Sequence, residues 1–218
     1  MFDLDGTLLP LDSDHGFGEY LVRIGWADAE EHRRRNDAFY ADYLAGRLDV
    51  HAYIAFATAA LRRRDPAEVD AACHDYLEEV IRPAVRPSAL ALVQRHREAG
   101  DQLAIVTSTH ELVTRPIAAL FGIGELLATE LERDAGGRLT GRIRGIACLR
   151  EGKIERVRQW LAARGTALDA LEASWYYGDS MNDLPLLERV THPVATNPGP
   201  TLERVAHERG WPVLRLFE

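Results

Sequence analysis

The sequence predicts an α/β fold, a parallel sheet covered by helices on both faces, with an all-helical segment inserted near the start. Three observations predict it. Residues 1–8 read as a buried strand that breaks into a loop at Gly6. Residues 14–83 carry apolar stripes at helical spacing and no strand pattern. From Arg86 onward, helical patterns alternate with short apolar runs, the order that gives parallel strands joined by helices.

In the opening stretch, Asp3 and Asp5 lie two residues apart and therefore point the same way at the strand's carboxyl end. Adjacent carboxylates repel, which favours a bound cation, a shared proton or both. Gly6 lets the chain turn tightly and present backbone N–H groups to an anion. The competing reading is an ordinary turn, since Asp and Gly form turns wherever they occur. Only Met1 and Phe2 precede Asp3, against about 5–6 residues in a typical strand. Either the recorded start falls a few residues late, or the central strand is unusually short.

In the insertion, Phe17, Tyr20, Leu21 and Ile24 form one helical stripe, and Val69, Cys73, Tyr76, Leu77 and Val80 form another. Asp65-Pro66-Ala67-Glu68 supplies an N-cap, a proline at the first helical position and a capping-box acid, which starts a helix there. Beyond it the pattern predicts a helix from 88 to 100, a strand over 102–106 and a helix over 111–121, kinked or restarted at Pro116. A hairpin follows over 126–132 and 139–144, turning at Gly136-Gly137. The remainder reads as helix 152–163, strand 174–177, helix 184–189, strand 193–196, helix 201–208 and strand 212–216.

Ligands of such sheets bind beyond the carboxyl ends of the strands. After the strand at 102–106 come Thr107, Ser108 and Thr109, hydroxyls able to hold a phosphoryl oxygen; Ser108 could instead form a capping box with Glu111. After 174–177 comes Gly178-Asp179-Ser180-Met181-Asn182-Asp183, an acidic loop suited to a hard cation such as Mg²⁺. Lys153 is the only lysine in the chain, the other 25 of the 26 basic residues being arginine. A compact ammonium can face a phosphoryl group and a carboxylate together, though a surface helix lysine would look the same in sequence.

The net charge is −8, which argues against nucleic acid or an anionic membrane as the main partner. The arginine runs at 33–35 and 62–64 read as solvated helix faces. Cys73 and Cys148 lack zinc spacing and are too few for a disulfide framework, which fits a reducing cytoplasm. No stretch approaches the ~20 apolar residues of a membrane span, and no signal peptide is expected.

Taken together, Asp3-Leu4-Asp5-Gly6-Thr7, the hydroxyl end at Thr107, Lys153 and the 178–183 loop resemble the four motifs of the haloacid dehalogenase superfamily of phosphatases, most closely its phosphoserine-phosphatase-like branch. The resemblance implies a Rossmann-like catalytic core over 1–13 and 84–218 and a helical cap over 14–83. It implies that Asp3 attacks phosphorus to form an aspartyl-phosphate and that Asp5 serves as acid and then base. It assigns Mg²⁺ to Asp3, the Asp5 carbonyl, Asp179 and Asp183, with Asn182 in support. Lys153, Thr107, Ser108 and Gly6 would hold the phosphoryl group.

Asp12 matches a substrate-contacting glutamate of that branch, and with Asp14 and His15 it makes an acidic entrance suited to an amine-bearing phosphate such as phosphoserine or histidinol phosphate. Asp14 and His15 could instead cap a helix starting at Gly16. Arg23 and Arg47 are the candidates for gripping a substrate carboxylate. The expected partner is a small phosphorylated metabolite, for a monomer or homodimer. Transfer of the phosphoryl group to an alcohol, or phosphate binding with little turnover, are the other functions these motifs allow.

Overall fold

Neighbouring residues on the central strands face opposite ways, and that alternation divides the molecule into two layers. In the computed structural model, which describes residues 1–217, Ile105, Tyr177 and Val194 belong to one hydrophobic cluster, while Val106, Tyr176 and Ala195 belong to another. The strands are β1 (Ala104–His110), β2 (Glu125–Thr129), β3 (Leu131–Arg133), β4 (Leu139–Ile143), β5 (Trp175–Gly178), β6 (His192–Thr196) and β7 (Val213–Leu214). β1 pairs in parallel with β2, and β5, β6 and β7 pair in parallel with one another.

Residues 1–3 join these two halves into one sheet. Phe2 bridges Ile105 on one side and Tyr177 on the other. The Phe2 N–H donates to the Ala104 carbonyl at 2.9 Å, and the Asp3 N–H donates to Tyr177 at 2.8 Å. The Phe2 ring is fully buried and stacks on Tyr177 with centroids 5.1 Å apart. Burial of such a ring stabilises the fold by about 1.5–3 kcal/mol, so the central position is held firmly despite its short length. It fixes where Asp3 emerges.

The helices are α1 (Ser13–Arg23), α2 (Ala29–Leu44), α3 (Val50–Ala57), α4 (Pro66–Tyr76), the single turn α5 (Arg82–Ala84), α6 (Pro87–Glu98), α7 (Glu111–Leu120), α8 (Glu151–Ala162), α9 (Leu184–Leu187) and α10 (Pro200–Arg209). One layer holds Leu92 and Val93 of α6 and Val113 and Ile117 of α7; the other holds Val157 and Leu161 of α8 and Leu202 and Ala206 of α10. The segment 14–83, expected to be helical, is made of helices joined by turns with no strand, and Asp65 forms its capping box with Glu68. Phe17, Leu21, Ile54 and Tyr76 of this segment share one continuous cluster with Phe2 and Ile105, so its helices rest directly on the sheet layer.

Several boundaries differ from expectation. β1 runs on to His110, because Thr129 and His110 resume the pairing after a register shift; Thr107 and Ser108 therefore lie inside the strand. The expected hairpin strand over 126–132 divides: β2 joins the main sheet, and only β3 pairs antiparallel with β4. α7 passes through Pro116 without restarting.

Candidate active site

Asp3 leaves the middle of the sheet 3% exposed, and its Oδ1 accepts a hydrogen bond from Lys153 Nζ at 2.8 Å. Lys153 reaches it from the first turn of α8 and is itself fully buried. Its ammonium also donates to Asp183 Oδ1 at 2.5 Å and to the Tyr176 hydroxyl at 3.0 Å. Burial works against the charge on Lys153, but the facing Asp183 and Asp3 outweigh it and hold its pKa well above the usual lysine value. Burial, reinforced by Asp183, pushes the Asp3 carboxyl up to about 7. One ammonium facing two buried carboxylates stays charged, while burial, added to by Asp183, raises Asp3.

The 178–183 loop is folded around Asp183. Its Oδ2 accepts from the Asp179 N–H, the Ser180 N–H and the Ser180 hydroxyl, each at 3.2 Å, and its Oδ1 takes Lys153 and Tyr176. A Cβ on Gly178 would stand 2.7 Å from Asp183, and one on Gly6 would stand 2.4 Å from Asp179 Oδ2. Both glycines therefore permit a close approach that no side chain allows. Asp179 Oδ1 is buried with no hydrogen-bond partner. Burial, then Asp183 and Asp3, pushes the Asp179 carboxyl well above the ordinary range. Asp3, Asp179 and Asp183 each offer an oxygen within 4.8 Å of the others. Three hard oxygen donors, one of them orphaned and all short of positive charge, fit a small divalent cation.

On the other side of Asp3 a cleft opens under the helical segment. Asp3, Asp5, Asp12, Asp14, His15, Thr107 and Ser108 line it, together with Phe39, Tyr40, Tyr43 and Tyr53. Asp5 accepts from the Ser13 N–H at 2.9 Å and from the Thr109 hydroxyl at 2.8 Å. Burial and then the charge of Asp12 push its pKa well above the usual range. Asp12 is the N-cap of α1, its Oδ1 accepting from the Asp14 and His15 N–H groups at 3.0 and 2.8 Å. Burial nevertheless lifts Asp12 to about 6, the His15 N–H bond pulling the other way.

The structure thus brings Asp3, Lys153, Asp179 and Asp183 together, with Gly6 against Asp179, while the Asn182 amide is engaged by Arg150 and the Tyr43 carbonyl. It brings Asp5, Asp12, Asp14, His15, Thr107 and Ser108 into the cleft, with Asp3 common to both groups. Two capping expectations fail. Helix α1 starts at Ser13 under Asp12, so Asp14 and His15 do not cap a helix at Gly16. Ser108 makes no capping box: the N-cap of α7 is His110, the Glu111 carboxylate accepts from the Leu131 N–H at 2.8 Å, and Ser108 Oγ is left buried without a partner. That frees Ser108 for a ligand, while Thr107 Oγ1 already accepts from the Thr109 N–H at 3.3 Å. Arg23 and Arg47 pair with Glu79 and Asp42 and do not line the cleft.

Sequence reasoning missed Tyr176, Asn197 and the aromatic wall; Thr109, expected as a hydroxyl for a phosphoryl oxygen, instead donates to Asp5. Asn197 follows β6, and its Nδ2 donates to the Gly6 carbonyl at 2.8 Å; inspecting that strand end as well would have found it. Tyr176 reads as an apolar strand residue, and nothing local marks its hydroxyl as a partner of Lys153.

Known proteins resemble this chain in sequence and in fold. The model of the haloacid dehalogenase-like hydrolase family matches residues 1–188. A histidinol-phosphatase of Neisseria meningitidis is 44% identical over 216 residues, covering 99% of this chain and 97% of that protein. A phosphoserine phosphatase of Mycobacterium tuberculosis is 30% identical, covering 97% of this chain and 68% of its own length. Among solved structures, a Bordetella pertussis protein of unknown function superposes with a TM-score of 0.93 at 46% identity, covering 99% and 97% of the two chains. A phospho-aspartyl intermediate analogue of phosphoserine phosphatase superposes at 0.66 with 16% identity, covering 98% and 90%, a likeness of fold.

Proposed function

The chain belongs to the haloacid dehalogenase-like hydrolases, and from that premise we propose that it is a Mg²⁺-dependent phosphatase that works through an aspartyl-phosphate at Asp3 on an amine-bearing metabolite, with histidinol phosphate preferred to phosphoserine. The carrying observation is that Asp3 is shared between the buried acid and lysine cluster and the cleft. A carboxylate attacking a phosphate dianion needs charge compensation on one side and access to the ester on the other. Asp3 has both.

Asp3 Oδ1 is held by Lys153, which orients the carboxylate and leaves Oδ2 to attack phosphorus. Asp5, whose pKa burial and Asp12 raise, acts as the acid that delivers a proton to the leaving alkoxide; its carboxylate then takes a proton from the water that hydrolyses the acyl phosphate. Ser108 Oγ, free of other partners, and the N–H groups around Gly6 receive phosphoryl oxygens. Mg²⁺ would be held by Asp3, Asp179 and the Asp5 carbonyl, with Asp183 fixing the loop beneath. When bound it supplies the positive charge that the three carboxylates lack.

The cleft also supports a choice between substrates. Its described lining contains the carboxylates of Asp12 and Asp14 and no lysine or arginine, and His15 Nε2 pairs with Asp37 at 2.9 Å. A substrate carboxylate would meet repulsion there, whereas an ammonium meets two acids. Phe39, Tyr40 and Tyr53 offer faces to a flat or cationic ring. Histidinol phosphate carries an amine and an imidazole and no carboxylate, and the Neisseria relative is named for it. The two buried free thiols, Cys73 and Cys148, accord with a reducing cytoplasm.

Phosphate release with Mg²⁺ tests this reading. We expect kcat/KM for histidinol phosphate to exceed that for phosphoserine by at least about 100-fold, a discrimination typical of a site that leaves a charge unpaired in the wrong substrate. We expect Asp14→Asn to raise KM for histidinol phosphate. Comparable turnover of both substrates would contradict the assignment.

A further inference from the structure

Arg150 adopts φ 52° and ψ −118°, outside the region that non-glycine residues favour, directly ahead of the helix that carries Lys153. Such a backbone persists where surrounding contacts hold it, and the side chain supplies them. Its Nε donates to Asn182 Oδ1 at 3.0 Å, and Asn182 Nδ2 in turn donates to the Tyr43 carbonyl at 3.3 Å. Its guanidinium also lies against Gly46: a Cβ built there would stand 1.9 Å from Nη2. Arg150 therefore spans three pieces of chain, namely the start of α8, the 178–183 loop and the turn that follows α2.

That turn matters to the cleft. It joins Tyr43 to Leu48 and Val50, all three of which line the cleft, as does Leu149 beside Arg150. The Tyr43 side chain hangs from the same turn whose carbonyl Asn182 holds. This wall and Asp3 line the same cleft; the Arg150 side chain is bonded to Asn182, and only its carbonyl meets a residue assigned to the phosphoryl group, accepting from the Lys153 N–H at 3.0 Å.

We propose that Arg150 is a positioning residue that latches the turn after α2 onto the catalytic loops, closing the substrate cleft through Asn182 and Gly46. The latch sets affinity for substrates that fill the cleft, and it does so by holding the Tyr43 wall in place. The kinetic part of the proposal rests on the phosphatase reading; the conformational part does not.

The test uses R150A, R150K and G46A, with G25A as control. Gly25 also has a positive φ, 74°, but a Cβ there meets nothing within 4 Å, so G25A carries the backbone strain without the collision. R150A and G46A are expected to raise KM for the preferred amine-bearing phosphate about tenfold, the scale of one lost charged hydrogen bond, with kcat changed less. R150K has no Nε–H to reach Asn182 Oδ1 and should restore little. Hydrolysis of methyl phosphate, whose single carbon beyond the ester oxygen is too small to need the wall, should keep its kcat/KM. Trypsin should cleave after the exposed Arg47 of the turn about tenfold faster in R150A and G46A than in wild type or G25A, as expected when a local opening becomes easier by the same amount. An active wild type with unchanged KM and unchanged cleavage at Arg47 in R150A would overturn the latch. Should the wild type hydrolyse no phosphomonoester, the phosphatase reading fails, and the cleavage rates alone decide the latch.

Discussion

Lys153 Nζ donates to Asp3 Oδ1 across 2.8 Å and 150 positions of sequence, in a place where both side chains are buried. This pair joins the end of the short central strand to the first turn of α8. Its energetics depend on the neighbours, because Asp179 and Asp183 add negative charge that one ammonium does not balance.

Removing the ammonium should therefore be severe. In K153M, Asp3 and Asp183 stay buried without a counter-charge, and we expect a stability loss of about 3–5 kcal/mol in urea denaturation together with loss of phosphatase activity. A variant as stable as wild type would show that the pair is not the organising contact.

The opposite sign is expected at Asp179. Asp179→Asn removes one of the crowded charges while keeping the shape beside Gly6. The metal-free variant should melt a few degrees above metal-free wild type, the shift that about 1 kcal/mol produces in a chain of this size. Added Mg²⁺ should raise the melting temperature of wild type and leave that of the variant nearly unchanged, and a chelator should abolish wild-type activity.

Asp12 gives a pH dependence. Its carboxyl is lifted from 3.8 to about 6 by burial, so the folded chain holds this proton more tightly than the unfolded one. The stabilisation from this group is full below pH 3.8 and is lost as pH rises through about 6. Asp12→Asn keeps an N-cap for α1 and removes the titration. Between pH 4 and 6, the melting temperature of the variant should respond less to pH than that of wild type; parallel profiles would show that Asp12 is not strained by burial.

Much of this was legible in the sequence because the chemistry sits at strand ends. Asp3, Asp179 and Lys153 could be placed from alternation, punctuation and the rarity of lysine. Ser108 could not, because a capping box and a continuing strand begin with the same residues; pairing with Thr129 across the sheet decides between them. Asp12 was assigned to substrate from the resemblance, at the position of a substrate-contacting glutamate, whereas the local helix start also uses it as a cap. The division of 126–132 between two sheets depends on which distant strand each part meets, Val106 for Leu127 and Ile143 for Leu131. The Tyr176 hydroxyl and the Arg150 contacts depend on residues that only folding brings near.

Covalent capture at Asp3 tests the central claim most directly. Wild-type protein with Mg²⁺ and histidinol phosphate, quenched with borohydride during turnover, should carry homoserine in place of Asp3, because an acyl phosphate is reduced where a free carboxylate is not. Mass mapping should place that change at residue 3 and find none in Asp3→Asn, whose turnover should fall by about 10³-fold or more. Steady turnover with an unmodified Asp3, or modification at Asp5 instead, would contradict the account.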